Sequence, residues 1–233
     1  GEDDLETADI YCKKELMDEL KPVLINIHGG GFVGGDKDNR IALCVWYANL
    51  GYFVFNINYG LAPESPFPKG PANCIEALNY VVKNAEKYKL DTSRIVLCGD
   101  SAGGYMATSV CAACDCEELR ECYGQTPLVK PCAIVLNCGI YDLETALKGK
   151  MIFNMAPKIA LDVCGVPVED IQNYKYHKYL SIFDYITDKF PKAFIAYSAR
   201  DFFVPGQGAK MVEKLQNFGI YVDFYVGNRV ADI

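Results

Sequence analysis

Histidine is scarce in this sequence: 233 residues contain two, His28 and His177. Any acid–base or metal chemistry that depends on imidazole is thereby confined to two positions. Long apolar runs are missing as well, since none approaches the ~20 residues that a membrane-spanning helix requires. Basic excess is absent. Twenty-three Lys and Arg stand against thirty Asp and Glu, a formal charge of −7, which argues against nucleic acid or an anionic membrane surface as partner. The chain opens Gly-Glu-Asp, with neither an initiator Met nor a signal-peptide pattern. A chain incomplete at both ends is expected, and a cytoplasmic setting, which the missing leader does not by itself establish. Repeats, low-complexity tracts and flexible linkers are also lacking, so residues 1–233 read as one domain of undetermined oligomeric state.

Cysteine, by contrast, is abundant. The eleven cysteines form no disulfide framework legible in the sequence: they are scattered through apparent strands and helices, as at Cys44, Cys98, Cys111, Cys132 and Cys138. Free thiols packed as small hydrophobes in a reducing setting are the expectation. The spacing Cys111-x-x-Cys114-x-Cys116, with Cys122 beyond, is compatible with a thiophilic metal, but no second knuckle follows. Neither metal nor cofactor is expected.

Short β-branched runs recur through the chain: VLINIH from Val23, GYFVFNIN, RIVLCG, CAIVLNCG, AFIAYSA and IYVDFYV. Apolar on both faces, they suit a sheet covered on both sides. Between them the spacing changes to that of helices. Ile75, Leu78, Val82 and Ala85 share one face of a segment from Pro71 to Tyr88. Met211, Val212, Leu215 and Phe218 do the same before Gly219, a C-cap glycine. This alternation predicts an α/β domain with a doubly wound, mostly parallel sheet and helices on both faces. One interval breaks the rhythm. Residues 141–192 are rich in aromatics and lack a clear strand, and they read as a helical insertion where a lid would lie.

Two glycine-rich stretches carry the chemistry. Gly99-Asp100-Ser101-Ala102-Gly103 follows a predicted strand and opens a predicted helix, the context of a nucleophile elbow. His28-Gly29-Gly30-Gly31-Phe32 follows another strand, and successive glycines let backbone N–H groups converge on one point, as in an oxyanion hole. A phosphate-binding loop is the weaker reading, because no Gly-Lys-Ser/Thr follows.

INIHGGGFVGGDKDN, NYGLAPESPFP and GDSAGGYMA, taken in order, resemble three signatures of the α/β-hydrolase superfamily in its hormone-sensitive-lipase-like esterase branch. The resemblance runs over essentially the whole chain. It implies Ser101 as nucleophile and oxyanion-hole N–H groups from Gly30, Gly31 and Ala102. His28, with Gly29, would brace the oxyanion loop without taking part in proton transfer. The second signature departs from the usual form, with Gly60 in place of an arginine, which puts local loop packing in question.

The triad order in such proteins is nucleophile, acid, histidine. AFIAYSARDFFVPGQ puts Asp201 in the loop after the next-to-last strand as the expected acid, with Asp142 the fallback. The histidine should follow the final strand, yet the alignment of Tyr225 and Gly227 puts Val230 at its position. Either the histidine lies beyond Ile233 or the base has been lost. His177, flanked by tyrosines and lysines in the insertion, reads as a packing residue.

The expected activity is hydrolysis of small acyl or short-chain carboxylic esters through an acyl-enzyme, with Phe32 and Tyr105 suited to an apolar acyl pocket. The partner is then a small-molecule ester. A peptidase or carbohydrate deacetylase on the same scaffold, or a non-catalytic small-molecule-binding relative, are the alternatives.

Overall fold

The computed structural model describes residues 6–149, 155–201 and 203–228. The β-branched runs become the strands of a seven-stranded sheet: β1 (Ala8–Tyr11), β2 (Lys21–Ile27), β3 (Phe53–Ile57), β4 (Leu90–Asp100), β5 (Ala133–Asn137), β6 (Lys192–Ser198) and β7 (Val222–Gly227). Their order is β1-β3-β2-β4-β5-β6-β7. β2 to β7 run parallel, each paired in register with its neighbour, while β1 pairs antiparallel with β3 along the edge. β1 escapes a reading by periodicity because four half-exposed residues carry too little pattern.

Helices cover both faces: α1 (Ile41–Asn49), α2 (Lys69–Lys83), α3 (Ala85–Tyr88), α4 (Ala102–Ala113), α5 (Glu117–Tyr123), α6 (Leu143–Lys148), α7 (Ala156–Cys164) and α8 (Gln207–Asn217). The segment predicted as one helix to Tyr88 is interrupted at Asn84, and Val81 is buried while Val82 is only partly so. Gly219 adopts the left-handed conformation expected after a helix, with φ 70°. Phe218 lies outside the core instead, 40% exposed, with the Lys214 ammonium over its ring.

Two clusters divide the interior. The larger joins the inward faces of α2, α4 and α8 to one side of the sheet through Val23, Ile25, Ile95, Leu97, Ile134 and Ile195. The smaller joins Cys44 and Ala48 of α1 to Leu24, Val54 and Cys98 on the other side. All twelve residues of α4 are buried, which accounts for its lack of a polar face: a helix enclosed all round has no side for water.

This topology locates a crevice. From β2 the chain moves to β3 on one side, and β4 then pairs with β2 on the other. The loops leaving β2 and β4 therefore lead to helices on opposite faces, α1 on one and α4 on the other. The carboxyl ends of those two strands are a switch point, where open α/β sheets hold their ligands.

The insertion packs as part of the body. Its helices α6 and α7 and three 3-10 turns (Val168–Asn173, His177–Tyr179, Ile182–Tyr185) contribute Ile159, Val163, Ile171 and Leu180 to the main core. Its two roots are joined, since Leu143 N–H donates to Leu180 O and Ile182 N–H to Tyr141 O, both at 2.8 Å. The buried Tyr105 hydroxyl of α4 donates to Tyr179 O at 2.5 Å. Phe67 packs among Tyr105, Tyr123, Tyr176 and Tyr179. Of the aromatics of this interval, Tyr141, Tyr179 and Phe190 are buried in the main core, and Tyr174, Tyr176, Phe183 and Tyr185 pack against it partly buried.

Candidate active site

Ser101 joins β4 to α4 with φ 51° and ψ −118°, a region that side chains other than glycine avoid. The turn is held on both sides: Ser101 N–H donates to Asn137 O, and its carbonyl accepts from Gly104 and Ile140 N–H, each at 3.0 Å. Gly103 shows why the elbow needs glycine. A Cβ there would stand 2.1 Å from Ile27 O, so α4 lies directly against the end of β2. The two predicted motifs are therefore brought into contact by the packing of one helix.

The His28–Phe32 glycine loop meets the turn at Ser101 through Gly29. A Cβ on Gly29 would stand 2.9 Å from Ser101 Cβ and 2.5 Å from Asp100 Oδ2. Gly30 and Gly31 follow with φ 137° and 63°, and Gly34 N–H closes the turn onto Gly30 O at 3.0 Å. Among the described residues, the N–H groups of Gly30, Gly31 and Ala102 have no acceptor. Ala102 is fully buried. An unpartnered buried donor costs about 1–3 kcal/mol, and such a cost persists where the donor serves an incoming acceptor. Ala102 also opens α4, where the orphan N–H groups and the helix dipole favour negative charge.

His28 lies beneath this loop and not in the crevice. Its ring is 1% exposed and stacks on Tyr59 with centroids 4.6 Å apart. Nδ1 lies 2.8 Å from Gly29 O, which makes Nδ1 the protonated nitrogen, and the Tyr59 hydroxyl donates to His28 O at 2.9 Å. Burial holds its pKa below the usual imidazole range, so the ring is neutral and apolar-packed.

Asp201 follows β6 in the loop that leads to α8. Its Oδ1 accepts N–H bonds from Phe203 at 2.8 Å and Val204 at 2.9 Å, a local turn that orients the carboxylate. Asp201 and Ser101 line one cavity of about 410 Å³, together with Arg40, Asp100, Cys138 and Phe203. Burial, and then the Asp201 charge, push the Cys138 thiol upward, which keeps it protonated beside the serine. Asp142, the fallback acid, caps α6 by accepting from Thr145 N–H at 2.9 Å, and it is not among the residues that line this cavity.

Neither imidazole reaches the cavity. His177 Nε2 is 2.9 Å from Glu144 Oε2 in the insertion. Val230, aligned with the expected histidine, lies outside the described residues. The acyl pocket expected from Phe32 and Tyr105 is nearly filled: the two rings meet edge to face at 5.6 Å, beside a void of about 20 Å³. The departure at Gly60 is absorbed by packing, since a Cβ there would meet Ser65 Cβ at 2.6 Å. All eleven cysteines are free, and among the described residues no group of three His, Cys, Asp or Glu could hold a metal ion. No helix among them is long and apolar enough to cross a membrane.

Two contributors escaped the sequence reading. Arg40 clamps Asp100, with Nε donating to Oδ1 at 2.7 Å and Nη2 to Oδ2. Gln207, 2% exposed, accepts from Tyr141 and Asp142 N–H at 2.6 and 2.9 Å and donates to Asp142 O at 2.9 Å. It ties the loop of Asp201 to the root of the insertion. Both pairings join residues some sixty positions apart, and no local pattern announces them.

Comparison with known proteins agrees with this architecture. The family BD-FAE matches residues 8–215. Mouse hormone-sensitive lipase is 40% identical over 91 residues, covering 39% of this chain and 12% of the lipase. Esterase LipI of Mycobacterium tuberculosis is 37% identical over 103 residues, 43% of this chain and 32% of its own. The chain thus spans less than half the length of these curated relatives. Among solved structures, esterase B of Lactobacillus rhamnosis superposes with a TM-score of 0.82 at 20% identity, over 97% of this chain and 72% of that one. A bacterial heroin esterase gives 0.75 at 25%, over 94% and 69%. The fold is that of the α/β-hydrolases.

Proposed function

The chain belongs to the BD-FAE family, and from that premise we propose that it carries the nucleophile, oxyanion hole and acid of a serine carboxylic-ester hydrolase. One observation carries the reading: a serine held in a strained turn shares a cavity with a carboxylate, and three N–H groups on the two segments that meet at this turn have no acceptor among the described residues.

Ser101 Oγ attacks the ester carbonyl carbon and its proton passes to an imidazole. The carbonyl oxygen, now negative, accepts from Gly30, Gly31 and Ala102 N–H, donors already aimed before the charge develops; each is worth about 3–4 kcal/mol in comparable sites. The tetrahedral adduct collapses, the imidazolium protonates the departing alcohol, and a water then releases the acid by the same steps. Asp201 orients the imidazole and stabilises its cation. No imidazole of these 233 residues stands at the cavity, so the reading assigns the base to a histidine from outside them. The tight packing of Phe32 against Tyr105 supports a small acyl group.

One observation favours a second reading. The same missing imidazole suits a non-catalytic protein that binds small molecules in this crevice. Full-length protein assayed with nitrophenyl esters, acetylated sugars and peptide amides separates the two and sorts the substrate class. Ser101→Ala is expected to abolish ester turnover, and Asp201→Asn to lower kcat by roughly four orders of magnitude, as loss of a triad acid does elsewhere. Unchanged activity in Ser101→Ala refutes the hydrolase reading.

A further inference from the structure

The charge beside the nucleophile calls for an explanation. Asp100 immediately precedes Ser101, and its carboxylate crowds Gly29, the first glycine of the oxyanion loop, so closely that a Cβ there would stand 2.5 Å from Oδ2. The same loop is where the developing oxyanion is received on the reading above. A bare carboxylate in that place repels negative charge in the transition state while leaving a neutral ester unaffected.

Arg40 meets this carboxylate with two donors in the planar fork that matches it. The pair is only partly open to water, with 29% and 25% of the two side chains exposed, and both residues line the cavity of Ser101 and Asp201. The Asp100 carboxylate raises the Arg40 pKa still further. The guanidinium is itself fixed. Its Nη1 donates to Asn39 O at 3.2 Å, and the turn before it is anchored to the sheet. Lys37 N–H donates to Asn58 Oδ1 at 2.6 Å, and Asn56, paired with Asn26 inside the sheet, donates to Lys37 O at 2.8 Å.

Resting on the hydrolase reading, we propose that Arg40 is an electrostatic positioning residue. Its fork neutralises Asp100 and holds it against Gly29, so that the oxyanion loop keeps its place beside Ser101 without an opposing charge. Arg40 acts through Asp100, with both of its inner donors already engaged.

The test uses full-length protein with p-nitrophenyl acetate for turnover and a fluorophosphonate to label Ser101, with thermal melting to confirm folding. Because the oxyanion exists only in the transition state, R40A is expected to lower kcat by roughly ten- to a hundredfold with KM little changed. D100N, which removes the opposing charge but also loosens the hold on Gly29, falls between wild type and R40A, and the double variant R40A/D100N returns to the level of D100N. R40K, which keeps the charge and loses the fork, falls between wild type and R40A. Wild-type kcat in R40A, or a folded R40A/D100N as slow as R40A, overturns the proposal. If R40A does not fold, R40K against wild type and R40A/D100N against D100N decide on the same criteria. A wild-type protein inert to both probes overturns the hydrolase reading and this inference with it, whereas an active wild type with an unaffected R40A overturns this inference alone.

Discussion

Ser101 carries backbone strain that a single substitution can release. At φ 51° and ψ −118° a Cβ is crowded by its own backbone, and such residues cost of order 1–3 kcal/mol. Ser101→Ala keeps the Cβ and hence the strain. Ser101→Gly removes both, at the expense of about 0.5–1 kcal/mol from the greater freedom of glycine in the unfolded chain. The glycine variant is therefore expected to be more stable than the alanine variant by ~0.5–2 kcal/mol, or ~1–8 °C in melting temperature at this chain length. On the proposed reading both lack the nucleophile and neither hydrolyses esters, so the comparison isolates the backbone. Thermal and urea melts of the two variants provide the measurement. A glycine variant that melts at or below the alanine variant would show that the elbow stores no strain and would refute the reasoning.

Two further predictions concern the supports of the site. Gln207→Leu removes the acceptor of one buried and one part-buried N–H group and the donor to Asp142 O, and a loss of ~2–4 kcal/mol is expected in urea unfolding. Loss of ester turnover at low denaturant should precede global unfolding, because Asp201 is held by the same segment. His28 imposes a pH dependence of definite sign. Burial, partly offset by Gly29 O and the Asp100 and Asp36 charges, lowers its folded-state pKa. Its contribution to stability is therefore complete above the ordinary imidazole value near 6.5 and is lost as pH falls through the depressed one. Melting temperature measured down this range should decline in wild type and decline less steeply in His28→Gln; parallel curves would contradict a neutral buried ring.

Much of the architecture could be read in one dimension because its signals are local. β-branched runs, the change of period from two to about three and a half, and glycines flanking a serine all act through neighbouring residues. The strands β2 to β7 and the turn at Ser101 follow from them. β1 was missed because an edge strand of four residues owes its existence to β3. Phe218 was misplaced because periodicity assigns a face but not where that face runs out of partners. The aromatic insertion reads from sequence as a lid; in three dimensions Tyr141, Tyr179 and Phe190 lie in the main core, while Tyr174, Tyr176, Phe183 and Tyr185 pack against it partly buried.

By itself the sequence determined strands β2 to β7, the turn at Ser101 and the loop of consecutive glycines, since each rests on conformations available to a few adjacent residues. Only the tertiary structure decided that Gly103 sets α4 against β2, that Arg40 pairs with Asp100, that Gln207 ties two loops together and that neither imidazole stands at the cavity. Those facts join positions far apart in the chain, and the closeness of such positions is set by packing.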